Sequence, residues 1–262
     1  MIPKIVHYCW FGKSEYSVLI KNCFESWKKN LLGYEFRLWN EDTFDVNSVQ
    51  YTREAYEAKK YAFVSDYVRL YALKNFGGIY LDTDVEVLKS FDEYLSCDGF
   101  SGYEDDLRAG CGIIGCIPNQ TVICDFFDHY KNRSFYNDID QYDLTPNPYW
   151  FKKILLKHGL NDNGKTQTVD GFTIYEQVFF CPHKNENNWD ISNKTVTIHH
   201  YDGSWTKIKD EFQLSYEKEI KAYKKMFGDI WGERIYKNLK RIKKFGIGKW
   251  IADSIKRVRS FH

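Results

Sequence analysis

Several features common in extracellular and membrane proteins are missing from this chain of 262 residues. No run of about 18 apolar residues occurs, so a membrane-spanning helix is not expected. The opening Met1-Ile2-Pro3-Lys4 is not part of a secretory signal with charged and apolar regions. The seven cysteines are odd in number and form no Cys-x-x-Cys pair, which argues against a disulfide framework or a zinc knuckle. We therefore predict a protein of a reducing cytosol.

Recognised nucleotide and nucleic-acid signatures are also missing. The glycine-rich stretch Ala109–Cys116 lacks the spacing of a dinucleotide or P-loop fingerprint. It is typical of a bulged strand, or of a backbone that approaches a substrate closely. No nucleic-acid-binding module is recognisable, and we expect no nucleic-acid partner. Aromatic residues make up 18% of the chain, which suits stacking on bases or sugars, although an aromatic core would explain most of them.

Charge is divided unevenly along the chain. From Glu233 to His262 there are ten lysines and arginines against two acids, so this segment carries +8 and the rest −7 of the total +1. Apolar residues recur at helical spacing in two stretches of the tail, each basic on its other side. We predict a folded domain at 1–230 and a basic amphipathic helical tail at 231–262. Such a tail could lie on an anionic membrane surface, which we favour, bind nucleic acid, or pack on the domain as a solvated helix pair.

The beginning of the chain alternates between strand and helix patterns. Lys4–Gly12 has the apolar run of a buried strand, and residues 17–30 have helical spacing. Tyr34–Trp39 then alternates apolar and polar residues like a second strand. This order predicts an α/β fold.

A long helix is predicted from about Thr52, its cap, to Phe76, where the glycine pair 77–78 ends it. Its C-terminal half is apolar on most sides, yet it carries Asp66 and Arg69 three residues apart on one face. These two form either a helix ion pair worth about 0.2–0.5 kcal/mol or a binding site for a polar ligand. The sequence favours neither reading.

Two carboxylates, Asp82 and Asp84, come directly after an apolar run with strand character. In an extended chain alternate residues point the same way, which would place these Cα atoms roughly 6–7 Å apart on one side. Carboxylate oxygens suit Mg²⁺ or Mn²⁺, which usually keep positions open for water and phosphates. Two acids one residue apart also occur in ordinary solvated turns. The surrounding residues must therefore decide between a metal site and such a turn.

A second polar cluster is expected late in the chain. A strand that begins near Thr195 ends at His199 and His200. Because adjacent strand residues point to opposite faces, at most one of these histidines could easily join the two aspartates. Between the two regions we predict helices near 120–131 and 147–158 and short strands near 167–169 and 173–180.

Two segments resemble the signature of glycosyltransferase family 32, which carries the DXD motif. They are Ser65-Asp66-Tyr67-Val68-Arg69 and Gly77-Gly78-Ile79-Tyr80-Leu81-Asp82-Thr83-Asp84. The family includes yeast mannosyltransferases, the glucosylating domains of large clostridial toxins, and bacterial capsule and O-antigen glycosyltransferases. The resemblance covers the first third of the chain and returns near residue 200. It implies a GT-A fold, one α/β domain with a central mixed sheet, and retention of configuration at the anomeric carbon.

The resemblance also implies roles for residues on the donor side. Asp66 and Arg69 would hold sugar hydroxyls, while Asp82 and Asp84 would contact sugar, ribose and metal. Tyr80, within the same motif, is a further candidate for contact with the donor.

A late loop would close the metal site in such enzymes. The resemblance favours His200 as the third metal ligand, with His199 as the fallback. Ser204 and Trp205 would touch the ion and the diphosphate, and Lys207 either adds a donor to the phosphate or is a solvated lysine.

Together these implications predict a metal-dependent retaining glycosyltransferase that moves a hexose from a nucleoside-diphosphate sugar to a saccharide acceptor. Trp10 would flank the donor's base, with a UDP-sugar favoured over GDP-mannose by family habit. A lipid-linked acceptor in capsule or O-antigen synthesis, met at the inner face of the cell membrane, would suit the basic tail. An aspartyl-phosphate hydrolase with Asp82 as nucleophile, or a nucleotide-sugar-binding protein without catalysis, is the alternative.

Overall fold

The computed structural model describes residues 1–105, 108–136, 142–184 and 188–202, and beyond them only positions 221, 223, 225, 226, 228, 235 and 239. The chain divides into two compact units, one of Met1–Phe135 and Leu144–Asp202, the other of Tyr136–Asp143 and residues 203–262. In the second unit, Tyr136 and Tyr142 form an antiparallel bridge, with ring centroids 5.4 Å apart. All the site residues that the structure describes lie in the first unit.

The described part of the first unit contains nine strands and six α-helices. The strands are β1 (Ile5–Cys9), β2 (Glu35–Trp39), β3 (Gly78–Leu81), β4 (Val85–Val87), β5 (Gly99–Tyr103), β6 (Ala109–Cys116), β7 (Gln167–Val169), β8 (Phe172–Tyr175) and β9 (Thr197–His199). The helices are α1 (Val18–Asn30), α2 (Gln50–Glu57), α3 (Tyr61–Phe76), α4 (Thr121–Asp128), α5 (Asn147–Lys157) and α6 (Gln177–Phe180).

Seven of these strands form one mixed sheet in the order β2-β1-β3-β6-β5-β8-β7. β1 is parallel to β2 and β3, and β5 is parallel to β8, whereas β6 is antiparallel to both β3 and β5. Every residue of β3, β5 and β6 is buried, as expected for central strands that are covered on both faces. The predicted fold class, α/β with a central mixed sheet as the GT-A resemblance implied, is confirmed.

A separate two-stranded sheet joins the middle of the chain to its late segment. β4 and β9 pair antiparallel, with Val85 opposite His199. β4 is fixed on its other side by α1, since the indole N–H of Trp27 donates to the carbonyl of Val85 over 2.7 Å. This small sheet carries His199 to the end of β3.

The prediction of a single helix over residues 52–76 is wrong in one respect, because the structure has two helices, α2 and α3. They are separated by residues 58–60, where Lys59 has a positive φ of 55°. Thr52 is not a cap either; it lies inside α2, where its hydroxyl donates to two backbone carbonyls. The break contains neither glycine nor proline, the residues that usually mark such an interruption. The strand predicted near 173–180 likewise divides into β8 and α6.

The glycine pair at the end of α3 is confirmed as the helix terminus and has a steric reason. Gly77 and Gly78 both have positive φ, at 63° and 91°. A Cβ at Gly78 would lie 2.6 Å from the carbonyl oxygen of Ile5 on β1. Glycine therefore lets the chain turn into β3 while β3 stays in register with β1.

The tail predicted at 231–262 lies almost entirely outside the described residues. Ile235 and Leu239 are helical, and the side chain of Leu239 is exposed. Within the described part of the chain, none of the helices has the length and apolar character required to cross a bilayer. Membrane contact by the tail stays a prediction.

His7 links β1 to its neighbours from inside the core. Its Nε2 lies 2.9 Å from the carbonyl oxygen of Gly77, and its Nδ1 accepts the indole N–H of Trp39 at 3.1 Å. These contacts suit the neutral ring with the proton on Nε2. Burial lowers the pKa of His7 from 6.5 to about 4.

We predict that His7 makes the fold sensitive to mild acid. The unfolded chain takes up this proton near pH 6.5 and the folded chain only near pH 4, so stability is full above pH 6.5 and falls as the pH drops towards 4. At 1.36 kcal/mol per pKa unit, the loss in free energy of unfolding reaches about 3 kcal/mol. Urea unfolding at about pH 7 and about pH 4.5 measures it. His7→Gln, which does not titrate, should lose correspondingly less stability between the two conditions; equal losses would contradict the prediction.

Candidate functional site

Two aspartates and a histidine converge at the end of β3. Asp82 follows β3, Asp84 precedes β4, and His199 ends β9. One potential ligand atom from each lies within 4.8 Å of the other two, the only such group of three among the residues described. Nε2 of His199 is 3.3 Å from Oδ1 of Asp84 and 3.9 Å from Oδ2 of Asp82.

The two carboxylates approach the histidine through a turn and not through an extended strand. β3 ends at Leu81, and the N–H of Val85 donates to the carbonyl of Asp82 over 3.0 Å. Strand alternation, on which the sequence analysis relied, is therefore not what brings Asp82 and Asp84 together. The turn does so, and the pairing of β4 with β9 adds the histidine.

The structure corrects the choice between the two histidines. The resemblance favours His200, but Nε2 of His200 lies 3.0 Å from Oε2 of Glu86, away from the aspartate pair. His199, the fallback, faces Asp84 instead. Neighbouring residues at a strand end point to opposite sides, so only one of them reaches the group. The ligand prediction moves to His199, and that an ion binds there stays a prediction.

Gly112 on β6 keeps the space between these side chains open. A Cβ at this position would lie 2.9 Å from Oδ2 of Asp82 and 2.8 Å from Cε1 of His199. The carbonyl of Gly112 also accepts the N–H of Asp82 at 2.8 Å. Two carboxylates, one imidazole and a cradle that a methyl group would fill fit a divalent cation such as Mn²⁺ or Mg²⁺. The glycine-rich stretch was noticed in the sequence, but nothing there assigned Gly112 to this site.

Asp84 and His199 form a buried charged pair. Burial by itself would raise the pKa of Asp84, but the hydrogen bond and charge of His199, together with the N–H of Asp202, lower it. Burial by itself would lower the pKa of His199, yet Asp84 raises it well above its ordinary value. A cation bound here would take the place of the imidazole proton.

Arg69 connects the predicted sugar-binding pair to the aspartate group. Its Nη2 lies 2.9 Å from Oδ1 of Asp66 and 3.3 Å from Oδ1 of Asp82. Nη1 donates to the carbonyl of Cys111 over 2.5 Å, and the guanidinium lies 4.6 Å from the ring centre of Tyr80. The ion pair considered in the sequence analysis therefore exists. This ion pair is buried, with the Arg69 side chain only 7% exposed, and Arg69 also contacts a second carboxylate, that of Asp82.

The pKa of Asp66 is raised above the ordinary value for an aspartate. Burial raises its pKa to about 7, against the opposing charge of Arg69. The Asp82 carboxylate acts in the same direction as burial. The carboxyl group therefore takes up a proton more readily than an ordinary aspartate, and when protonated it can donate as well as accept hydrogen bonds. Sugar hydroxyls do the same, so Asp66 suits the role that the resemblance implied.

The other predicted donor contacts are only partly described. The hydroxyl of Tyr80 donates to Oδ1 of Asp82 over 2.8 Å, so Tyr80 orients that carboxylate. Trp10 follows β1 at the same sheet edge as Asp82, because β1 and β3 run parallel. Its ring is partly exposed and packs 4.8 Å from that of Tyr16, which leaves contact with a base open as a prediction.

Three predicted residues have no described position. Ser204, Trp205 and Lys207 lie outside the described residues. Their proposed contacts with ion and phosphate stay predictions.

We predict that Gly112→Ala weakens Mn²⁺ binding about 10- to 100-fold, the range found when the surroundings of metal ligands are disturbed. The added methyl group would displace Asp82 and His199 from their present positions. Titration of the metal-free protein with Mn²⁺, followed by electron paramagnetic resonance of the free ion, measures the affinity. Gly110→Ala is the matched control on the same strand, since its Cβ would meet Gly102 and Glu104 and not the aspartate group. Equal Mn²⁺ affinity in both variants would contradict the prediction.

The chain is similar to known glycosyltransferases over part of its length. Residues 17–100 match the family described as a glycosyltransferase sugar-binding region containing DXD motif. An uncharacterized glycosyltransferase of Acanthamoeba polyphaga mimivirus is 28% identical over 158 residues, a match that covers 55% of this chain and 60% of the relative. The chain thus matches three fifths of that relative's length. Among solved structures, the PaToxG glycosyltransferase aligns with a TM-score of 0.45 and 19% identity, over 60% of this chain and 69% of that one.

The family match covers both motifs on which the resemblance was based. It extends from the start of α1 into β5 and includes Asp66, Arg69, Asp82 and Asp84, while His199 lies beyond it. Residues 17–100 are therefore similar to the sugar-binding region of DXD-type glycosyltransferases.

Proposed function

We propose that this chain transfers a hexose from a nucleoside-diphosphate sugar to a saccharide acceptor with retention of configuration, using Mn²⁺ or Mg²⁺ at Asp82, Asp84 and His199. One observation carries the proposal: Nη2 of Arg69 lies 2.9 Å from Asp66 and 3.3 Å from Asp82. A buried pair suited to sugar hydroxyls is thereby joined to a group suited to a cation. A sugar nucleotide presents both chemistries, hydroxyls and a diphosphate, in one molecule.

The site residues have different roles in such a transfer. A bound divalent cation supplies Lewis-acid stabilisation of the charge that develops on the departing diphosphate, worth several kcal/mol. Such a leaving group needs no acid to protonate it, which distinguishes the site from the two opposed carboxylates of a glycoside hydrolase. Asp66 and Arg69 orient the hexose through its hydroxyls, and Tyr80 and Arg69 together hold Asp82 in place. The acceptor hydroxyl then attacks on the face that the diphosphate leaves: its oxygen bonds to the anomeric carbon as the bond to the diphosphate breaks, and its proton passes to the departing diphosphate.

The finer assignments rest on the sequence. A UDP-sugar is the favoured donor, with its base against Trp10. Ser204 and Trp205 would touch the ion and the diphosphate, and Lys207 would either add a donor to the phosphate or be a solvated lysine. The acceptor is a lipid-linked saccharide of bacterial capsule or O-antigen synthesis. The +8 charge of residues 233–262 supports this assignment, because an anionic membrane surface attracts basic segments by about 1 kcal/mol per lysine or arginine. On this view the protein works in the cytoplasm, at the inner face of the cell membrane.

We predict that Asp84→Ala abolishes the Mn²⁺-dependent part of donor binding. The substitution removes the carboxylate that faces His199 and accepts the N–H of Asp202. A thermal-shift screen of UDP- and GDP-sugars with and without Mn²⁺ tests this, since a ligand at about 100 times its Kd stabilises the folded state by about 2.7 kcal/mol. Asp42→Ala, in an exposed loop, is the control.

The same proteins separate the proposal from its rivals. Slow hydrolysis of the donor in the presence of Mn²⁺ by the parent chain supports a transferase and excludes a binding protein without catalysis. Unchanged donor stabilisation in Asp84→Ala would overturn the metal assignment. Release of phosphate from small phosphate esters, in the absence of donor hydrolysis, would favour the aspartyl-phosphate hydrolase.

We predict that removal of residues 232–262 reduces binding to anionic membranes but leaves donor hydrolysis intact. The described site residues all precede the deletion, whereas the deleted segment carries the +8 charge of residues 233–262. Co-sedimentation with vesicles that contain about 30% phosphatidylglycerol measures membrane binding, at roughly physiological ionic strength where screening is realistic. Vesicles of phosphatidylcholine alone are the control. Equal recovery of both proteins on anionic vesicles would remove the membrane role of the tail.

A further inference from the structure

Tyr201 has a backbone conformation that bulky side chains rarely adopt. Its φ is +50°, in the left-handed region that glycine, asparagine and aspartate tolerate better. A strained conformation of this kind persists only where the surrounding structure holds it, and such residues cluster at functional sites. The position of Tyr201, two residues after His199, links this strain to the aspartate group.

The bend at Tyr201 makes contacts with two of the three proposed ligands. It stacks the tyrosine ring on the imidazole of His199, with centroids 4.1 Å apart and an angle of 29° between the planes. It also directs the N–H of Asp202 to Oδ2 of Asp84 over 2.9 Å. Immediately before the bend, the N–H of His200 donates to the backbone carbonyl of Asp84 over 3.1 Å. One local conformation therefore restrains both His199 and Asp84.

Ordinary core packing does not account for the position of the tyrosine ring. Tyr201 is 47% exposed, whereas His199 beneath it is 8% exposed. The ring thus covers the imidazole from the solvent side and remains half exposed itself. Its hydroxyl is 3.5 Å from the carbonyl oxygen of Glu104, at the limit of a hydrogen bond. The hydroxyl also interacts with the side chain of Cys181, whereas the ring face is what contacts His199.

We propose that Tyr201 is a positioning residue of the metal site, whose left-handed bend and stacked ring hold His199 and Asp84 in the arrangement that binds the cation. The inference rests on the proposed function, because it assumes that these residues are metal ligands. Groups that orient metal ligands usually do so by hydrogen bonds to them. Here the orienting contacts are one aromatic face and one backbone N–H, both supplied by the same bend.

Three substitutions at Tyr201 distinguish the contribution of the ring to Mn²⁺ binding from that of the backbone bend. Tyr201→Phe keeps the stacked face and loses only the hydroxyl, so we expect Mn²⁺ affinity within about twofold of the parent protein. Tyr201→Gly adopts a positive φ without strain, which preserves the contact of Asp202 with Asp84 but removes the ring. Tyr201→Ala removes the ring and still disfavours the bend. We expect affinity to fall about 10- to 100-fold in Tyr201→Ala, with Tyr201→Gly between it and Tyr201→Phe.

The experiment is a Mn²⁺ titration of the full chain without donor, followed by electron paramagnetic resonance. Tyr149→Ala is the matched control, because Tyr149 is equally exposed, at 46%, and lies on α5. The melting temperature of each metal-free protein identifies any variant that is merely unfolded, and Tyr201→Phe restores binding if the ring face is what matters. The affinity order Phe, Gly, Ala supports the inference.

The outcomes that overturn it are distinct from those that overturn the proposed function. If the parent chain and Tyr201→Ala bind Mn²⁺ equally, Tyr201 has no positioning role, and the metal site itself stands. If Tyr201→Phe loses as much affinity as Tyr201→Ala, the hydroxyl and not the stacked ring is responsible, and the inference is wrong. If the parent chain binds neither Mn²⁺ nor a sugar nucleotide, the proposed function fails and the inference with it.

Discussion

A buried arginine shared by two carboxylates is the interaction on which the site depends. Arg69 contacts Asp66, Asp82 and the carbonyl of Cys111 while its side chain is only 7% exposed. Removing one partner from such a buried group typically costs about 3–5 kcal/mol, since a charge is then left without compensation. The guanidinium therefore fixes α3, the end of β3 and β6 relative to one another. A surface ion pair at the same spacing would be worth far less and would fix nothing.

The site combines charge with restricted space. Asp82, Asp84 and His199 meet where Gly112 leaves no side chain, so the proposed cation site has space that a methyl group would occupy. Beside them Asp66, with its pKa raised to about 7 by burial, can exchange hydrogen bonds with neutral hydroxyls. The polarity of the site thus changes over a few ångströms, from a group that attracts a cation to one that suits a sugar ring. The proposed donor site therefore consists of a charged part for the diphosphate and its cation and a part for sugar hydroxyls.

Much of the fold could be predicted because it is encoded locally. β1, α1 and β2 follow patterns of apolar spacing, and the structure places them within one or two residues of the predicted bounds, apart from the looser ends of the first strand. The glycine pair ended α3 as expected, because left-handed backbone favours glycine. The break between α2 and α3 was missed, since residues 58–60 carry no glycine or proline and the apolar pattern continues across them. α6 was read as strand because a short apolar run does not distinguish the two periods.

The sequence alone determined which side chains are candidates for the site: the Asp66–Arg69 pair on one helix face and Asp82 and Asp84 after a strand, in an order that resembles the DXD glycosyltransferases. Only the tertiary structure decided which distant residues meet them. The pairing of β9 with β4 selects His199 over His200, and the neighbouring β6 contributes the empty position at Gly112. Both depend on strand register, and a shift of one residue would turn every side chain of a strand to the other face. Register is set by contacts between segments far apart in the chain, which no local pattern of residues contains.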